Sequence, residues 1–164
     1  KKQIVTYLDG KKHGNVQVFY KNNNKIKYKG NYNNGLMDGK WTYYWENGNK
    51  KVEGSFKNGN GSNKNKITKV PTNGRDGMWS SWHVNGKKWS ELNFINGRKN
   101  GKQTNWYDNG QKEVEGNYEN DKPVKTWLWW YIDGAPMQEG KYNEQDNFEG
   151  LYFINPPVPD VLFP

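Results

Sequence analysis

Apolar and aromatic residues alternate with polar ones in short runs along the chain, and glycine or asparagine separates one run from the next. A typical run is Val52-Glu53-Gly54-Ser55-Phe56, which closes at Asn58-Gly59. Alternation with a period of two places successive side chains on opposite faces of a β-strand. The pattern therefore predicts short strands that are joined by tight turns.

The runs recur at a fixed interval. A glycine opens an aromatic strand in four copies and a lysine takes its place in a fifth, at Gly14, Gly39, Gly77, Gly101 and Lys125. The intervals are 25, 38, 24 and 24 residues, and an insertion of 14 residues at 60–73 accounts for the long one. Such a period is the signature of a repeat protein. We predict about five repeats, at approximately 14–35, 39–59, 77–97, 101–121 and 125–145.

A turn signal lies nine residues after the anchor position in four copies. The dipeptides are Asn47-Gly48, Asn85-Gly86, Asn109-Gly110 and Asp133-Gly134. Asn-Gly and Asp-Gly favour the positive φ angles of type I′ turns, whose twist matches that of the flanking strands. A second turn, such as Asn34-Gly35, precedes the next anchor. Each repeat is thus predicted to be a β-hairpin.

Two sequence columns are aromatic in every copy. The first column contains Phe19, Tyr44, Trp82, Trp106 and Trp130. The second contains Tyr7, Tyr32, Phe56, Phe94, Tyr118 and Tyr142. Neighbouring strands lie about 4.8 Å apart, so we predict that these rings form one continuous aromatic spine along the array.

The unit at 38–59, with Gly39-Lys40-Trp41, Glu46-Asn47-Gly48 and Glu53-Gly54-Ser55-Phe56, resembles the MORN repeat, and more closely its bacterial, antitoxin-like variant. The resemblance extends over nearly all of residues 1–145. It implies an all-β fold, an elongated and twisted antiparallel sheet of tandem hairpins without a large globular core. It also implies scaffolding, partner binding, dimerisation or lipid contact as the function.

Some positions depart from the unit, and two segments lie outside its period. We expect altered local turn geometry where the unit is broken, at Lys29, Leu92 and Lys125. We expect one array over residues 1–150. The polar and basic insertion at 60–73 is either a functional loop or merely a mobile one. Residues 151–164 are rich in proline, so we expect an extended C-terminal cap or tail there.

The composition concentrates the apolar surface in few, large side chains. Hydrophobic residues make up 32% of the 164 residues, but 9 Trp, 11 Tyr and 6 Phe are among them. Disordered chains are poor in aromatic residues, so a folded array is favoured. The chain contains no cysteine and no apolar run long enough for a transmembrane segment.

Candidate chemistry is sparse. The two histidines, His13 and His83, fall at regular repeat positions, and the recurring Glu53, Glu91, Glu115 and Glu139 occupy equivalent sites. Catalytic carboxylates need different environments to separate their pKa values, whereas these glutamates occupy equivalent sites. The preferred interpretation is therefore a ladder of glutamates that pair with lysines on neighbouring strands. We expect no catalytic residues, no metal site, no cofactor and no enzyme activity.

Aromatic residues that occur only in particular copies are the candidate partner-binding residues. They are Tyr43, Trp45, Trp89, Trp129 and Tyr131. A binding patch meets its partner at one place, and Trp and Tyr dominate the energetics of interfaces. Packing against a neighbouring strand or the insertion is the alternative for each of them.

These features favour a non-catalytic scaffold that binds another protein. The resemblance implies one version, an antitoxin or immunity partner of a bacterial toxin. The net charge of +8 suits a neutral or acidic partner better than a basic one. A surface for carbohydrate or anionic lipid at the cell envelope is the alternative, and nucleic acid is disfavoured.

The location of the protein stays open at this point. The chain begins at Lys1 rather than methionine, so we expect a processed or trimmed product. An antitoxin-like role would place it in the cytoplasm. Removal of a signal before Lys1 would place it in the cell envelope or outside the cell.

Overall fold

The computed structural model describes residues 2–143 and 147–152, and it contains a single antiparallel sheet of 12 strands in sequence order. The strands are β1 (Gln3–Leu8), β2 (Lys11–Phe19), β3 (Ile26–Asn33), β4 (Leu36–Tyr44), β5 (Lys50–Gly59), β6 (Arg75–Trp82), β7 (Lys88–Ile95), β8 (Arg98–Trp106), β9 (Lys112–Glu119), β10 (Lys122–Trp130), β11 (Pro136–Tyr142) and β12 (Phe148–Tyr152). The predicted all-β array of tandem hairpins is confirmed. Of the segment predicted to form a cap or tail, only the last two residues of β12 belong to the described residues.

Each anchor residue forms a β-bulge. Between β3 and β4 the register pairs Lys29 with Thr42 and Asn31 with Asp38, so that three residues of β4 face Gly30 alone. Gly39 begins this bulge with a φ of 64°. Lys125 adopts the same conformation with a φ of 61°. The array therefore keeps its geometry where the anchor glycine is replaced, at the expense of a strained lysine.

We expect Lys125→Gly to raise the free energy of unfolding by about 1 kcal/mol, because glycine adopts positive φ without steric penalty. Denaturant titration measures the change. Lys141→Gly, in β11 and outside the residues with positive φ, is the matched control and should destabilise the protein. Equal effects of the two substitutions would contradict the strain at Lys125.

The two edges of the sheet carry different turns. Asn34 and Gly35 have φ angles of 47° and 84°, which define a type I′ turn. On the opposite edge, Gly48 has a φ of 101° while Asn47 is not among the residues with positive φ. The prediction of type I′ turns is therefore wrong for the turn at 45–49 and for its equivalents at 83–87, 107–111 and 131–135. These are three-residue loops, each a type I turn followed by a left-handed glycine.

One face of the sheet, the tryptophan face, holds most of the core. Trp41, Trp79 and Trp127 lie two residues after their anchors and are 1%, 3% and 6% exposed. Each indole covers a glycine of the preceding strand. A Cβ atom added at Gly54 would lie 2.2 Å from Cδ2 of Trp79. These glycines therefore provide room for a ring, and this buried column was missed in the sequence.

Between the third and the fourth copy, both partners of this contact are replaced. Leu92 takes the place of the glycine, and Gln103, which pairs with it across β7 and β8, takes the place of the tryptophan. Leu92 lies inside β7, so the expectation that it disturbs a turn is wrong. Its effect is on packing, because leucine fills the space that the indole occupies elsewhere.

The two predicted aromatic columns lie on opposite faces, so the single continuous spine is wrong. Phe56 and Phe94 of the second column contact Trp79 on the tryptophan face, while Tyr7 is 56% exposed. The first column is half-buried on the other face, which we call the charged face. There Lys50 lies 5.3 Å from the ring centre of Trp82. Tyr44 follows Trp41 by three positions, so strand alternation places them on opposite faces.

The insertion at 60–73 packs on the tryptophan face. Val70 is 1% exposed and belongs to the same core cluster as Trp41 and Trp79. Asn65 orders the segment, because its Oδ1 accepts the backbone N–H groups of Ile67 and Thr68 at 2.9 Å. The insertion leaves one cleft on each side of it.

Candidate binding surface

The first cleft lies between the insertion and strands β3 to β5, and we call it the basic cleft. It has a volume of about 370 Å³. Tyr28, Trp41 and Tyr43 form its aromatic floor. All charged residues that line it are lysines, namely Lys27, Lys51, Lys64 and Lys69. The cleft therefore combines aromatic contact area with positive charge.

The lysines around the basic cleft affect one another. Burial lowers the pKa of Lys51, and the charges of Lys27 and Lys69 lower it further. Burial is the main cause of the raised pKa of the Tyr43 hydroxyl, and the neighbouring Tyr28 raises this pKa further. Tyr43 is thus a neutral, half-buried ring, and the positive potential comes from the lysines above it.

The second cleft lies on the other side of the insertion, along β6 to β8, and we call it the arginine cleft. It has a volume of about 440 Å³. Trp79, Trp89 and Phe94 provide apolar walls, and Arg75 lines it from the start of β6. Thr68 of the insertion lines the opposite side.

The floor of the arginine cleft is polar. Ser81 and Ser90 share a hydrogen bond of 2.7 Å between their hydroxyl oxygens. Gln103 Nε2 donates to Asn105 Oδ1 at 3.0 Å, and Gln103 Oε1 is buried without a partner among the described residues. Other copies place aromatic or aliphatic residues at most of these positions. The floor of the arginine cleft is thus a polar region of an otherwise apolar face.

Three of the five candidate partner-binding residues share the tryptophan face. Tyr43 lies in the basic cleft, and Trp89 lines the arginine cleft beside His83, with 5.8 Å between the ring centres. Trp129 stacks on Trp127 at 5.9 Å and meets Phe148 edge to face at 5.6 Å. All three are half-buried. The structure therefore brings Tyr43 and Trp89 to the two sides of the insertion.

The other two candidates, Trp45 and Tyr131, lie in turns at the edge of the sheet. Trp45 Nε1 donates to the backbone oxygen of Trp82 in the next repeat at 3.0 Å. Equivalent bonds run from Tyr20, His83 and Tyr107 to the backbone oxygens of Tyr44, Trp106 and Trp130. Trp45 thus links repeats, and the regular placement of His83 has the same explanation.

The asparagines of the three-residue turns also link repeats. Asn47 Oδ1 accepts the backbone N–H of Asn49 at 2.9 Å, while its Nδ2 donates to the backbone oxygen of Val84 at 2.8 Å. In the last such turn, the Asp133 carboxylate accepts the backbone N–H of Ala135, but its side chain has no N–H group to donate to a neighbouring repeat. The recurring Asn is the sequence signal for this ladder, and turn conformation alone does not reveal it.

On the charged face, glutamates and lysines largely neutralise one another. Glu53 forms salt bridges with Lys40 and Lys50, both at 3.1 Å. Glu115 pairs with Lys102 at 3.0 Å and Lys112 at 2.8 Å, and Glu91 pairs with Lys88. The predicted ladder of glutamates and lysines is confirmed at these three positions.

The pKa values of these glutamates follow from their lysine partners. Burial alone would raise the pKa of Glu53, but hydrogen bonds from Lys40, Lys50 and Thr42 outweigh it and hold the pKa below its usual value. The hydrogen bond from Lys112 is the main cause of the lowered pKa of Glu115. Both carboxylates are therefore ionised and paired at neutral pH, as expected for structural groups.

Within residues 2–143 and 147–152, no group of three His, Asp or Glu side chains is placed to hold a metal ion. No helix that could span a membrane occurs in the described part of the chain.

The fold and its surface define a tandem-hairpin repeat protein. Three of its segments match the family model described as MORN repeat variant, at residues 37–58, 75–96 and 99–120. Each match begins two residues before an anchor glycine. These repeats are generally involved in binding rather than catalysis, which supports a non-catalytic repeat module. No curated protein matches the chain.

Proposed function

We propose that this protein binds another protein, and that the tryptophan face receives an acidic segment of that partner at the basic cleft. The observation that carries the proposal is the set of four lysines around an aromatic floor, with no carboxylate among the lining residues. Tyr43, Trp45, Trp89, Trp129 and Tyr131 remain the proposed contact residues, with Tyr43 and Trp89 nearest to the insertion.

The distribution of charge supports this orientation. Glutamates neutralise lysines on the charged face, whereas Lys27, Lys51 and Lys69 lie together without such partners lining their cleft. Complementary charge guides partners to an interface and disfavours wrong ones. Half-buried aromatic rings beneath the lysines supply the apolar contact that gives affinity.

We propose further that the partner is a toxin and that the chain acts as its antitoxin or immunity protein. The resemblance to antitoxin-like MORN variants supports this role, and the positive charge suits an acidic or neutral toxin. Anionic lipid is the competing ligand, because four lysines would also attract its headgroups.

An acetylated peptide of alternating glutamate and phenylalanine tests the proposal. We expect Lys51→Gln combined with Lys69→Gln to weaken its binding about three- to tenfold, because each change removes one attractive charge. Tryptophan fluorescence measures the affinity at low and high salt.

The matched control is Lys40→Gln combined with Lys102→Gln on the charged face, where Glu53 and Glu115 each keep a second lysine. Both double variants lose two charges. Equal weakening by the two pairs would show a diffuse charge effect and contradict a site at the basic cleft. Binding to phosphatidylglycerol vesicles but not to the peptide would favour the lipid alternative.

A further inference from the structure

Arg75 is a buried cation without an anionic partner. It is 8% exposed, and its guanidinium carbon lies 4.1 Å from the ring centre of Trp79 and 5.4 Å from that of Phe94. Nε donates to the backbone oxygen of Pro71 in the insertion at 3.0 Å. Among the described residues, no carboxylate lies within 4.0 Å of the guanidinium and its two terminal nitrogens have no hydrogen-bond acceptor.

This arrangement is unusual because buried charges are ordinarily paired. Stacking on Trp79 and Phe94 offsets part of the loss of hydration. Burial lowers the pKa of Arg75 to about 10, so the guanidinium still carries its charge at neutral pH. The terminal N–H groups therefore remain as unused donors beside the arginine cleft.

The surroundings of Arg75 select the chemistry of a ligand. A guanidinium presents a planar fork that matches the two oxygens of a carboxylate. Trp89 offers a half-buried apolar wall and the Ser81 hydroxyl can donate to a carboxylate oxygen, while Gln103 Oε1 can only accept and suits a backbone N–H of the ligand. Asp121, a carboxylate in the lining, already accepts the backbone N–H of Lys99 at 2.8 Å.

We infer that the arginine cleft is a carboxylate-binding pocket, which takes one Asp or Glu side chain of the protein partner while an adjacent apolar residue of that partner lies against Trp89. The inference rests on the proposed function, since it assigns a second contact on the same face. The insertion completes the pocket, because Thr68 and Thr72 line it and Pro71 holds Arg75 in place.

The pocket explains why the third and fourth copies differ from the others. Ser81, Ser90, Gln103 and Asn105 replace apolar residues beside the only arginine among the buried residues of the described chain. Polar groups at such positions reduce the apolar packing of the sheet. Their gathering in one cleft, next to an unpaired guanidinium, is what a site for a charged side chain requires.

Two blocked dipeptides test the inference on the full chain, acetyl-Phe-Glu-amide and its neutral counterpart acetyl-Phe-Gln-amide. Titrations are followed by the NMR signals of the Trp79 and Trp89 indole N–H groups and of Arg75 Nε–H. We expect saturable shifts with the glutamate peptide and binding about tenfold weaker with the glutamine peptide, because only the carboxylate pairs with the guanidinium. Equal binding of the two peptides would overturn the inference without any variant.

Two substitutions of Arg75 make the test specific. Arg75→Gln should abolish the preference for glutamate, and Arg75→Lys should retain part of it, because the charge remains while the fork is lost. If Arg75→Gln does not fold, Trp89→Ser provides the second readout and should weaken both peptides alike. A glutamate preference that survives Arg75→Gln would overturn the inference.

The outcomes for the two clefts are distinguishable. Loss of acidic-peptide binding in the Lys51 and Lys69 double variant, with no effect of Arg75→Gln, would remove the arginine pocket and leave the proposed function intact. A preference for the glutamate dipeptide that depends on Arg75, without any effect of the two lysine substitutions, would remove the proposed site at the basic cleft and leave the arginine pocket intact.

Discussion

Replacing Trp41 with alanine is expected to lower the free energy of unfolding by about 3 to 5 kcal/mol, the usual range for a buried large aromatic residue. The indole is 1% exposed and contacts Tyr32 and Phe56 edge to face, at 5.1 and 6.0 Å between ring centres. Its Nε1 also donates to the backbone oxygen of Asn31 at 3.1 Å. Removal would open a cavity over Gly30 and leave that oxygen without its donor.

The matched control is Trp106→Ala on the charged face. Trp106 is half-buried beneath Lys88, whose ammonium lies 5.9 Å from the ring centre. It keeps more solvent contact, so its replacement should cost clearly less, about 1 to 2 kcal/mol. Denaturant titration of both variants measures the difference. If the free energy of unfolding fell more for Trp106→Ala than for Trp41→Ala, the result would favour the aromatic spine that the sequence predicted.

The repeat and its hairpins could be predicted because glycine and asparagine have narrow conformational roles. Gly39, Gly77 and Gly101 recur at a fixed period and do adopt positive φ. The turn type could not be read in the same way. Asn47 was assigned a positive φ, whereas its side chain instead bonds to its own turn and to the next repeat. One residue type serves both purposes, and spacing alone does not separate them.

The faces of the sheet were predicted less well than its strands. Each anchor bulge places three residues of one strand against one residue of the other. Counting along the sequence across a bulge therefore does not show which face of the sheet a side chain lies on. Columns such as Tyr44 and Phe56 were therefore merged, although they lie on opposite faces. The pairing of glycine with tryptophan offered the missing signal, since the strand pair that has Leu92 in place of the glycine also has Gln103 in place of the tryptophan.

The candidate site could be predicted only in part. Aromatic residues found in single copies pointed to Tyr43, Trp89 and Trp129, and the structure places these three on one face. Arg75 carried no such signal, because it is one cation among 25 lysines and arginines. Its burial depends on the insertion folding back over the sheet, a tertiary contact that has no counterpart in the repeat pattern.

The exchange of glycine and tryptophan for Leu92 and Gln103 leads to a double-mutant cycle with a large expected coupling. Leu92→Gly alone should destabilise the protein by about 2 to 5 kcal/mol, because it leaves a cavity in the sheet. Gln103→Trp alone should destabilise it by about 1 to 3 kcal/mol, because the new ring meets a leucine instead of a glycine. The other repeats show that the two changes are compatible when combined.

In the double variant the indole should fill the space above the new glycine, as Trp79 does above Gly54, where a Cβ atom would lie only 2.2 Å from the ring. The loss in the double variant should therefore be smaller than the sum of the single losses by about 1 to 3 kcal/mol. Gln103→Trp combined with Val114→Ala is a control without the glycine and should show no such recovery. Denaturant titration of all variants measures the coupling. Additive losses would mean that the tryptophan columns and the glycines are independent features of the repeat, and the packing rule drawn from Gly30, Gly54 and Gly116 would be wrong.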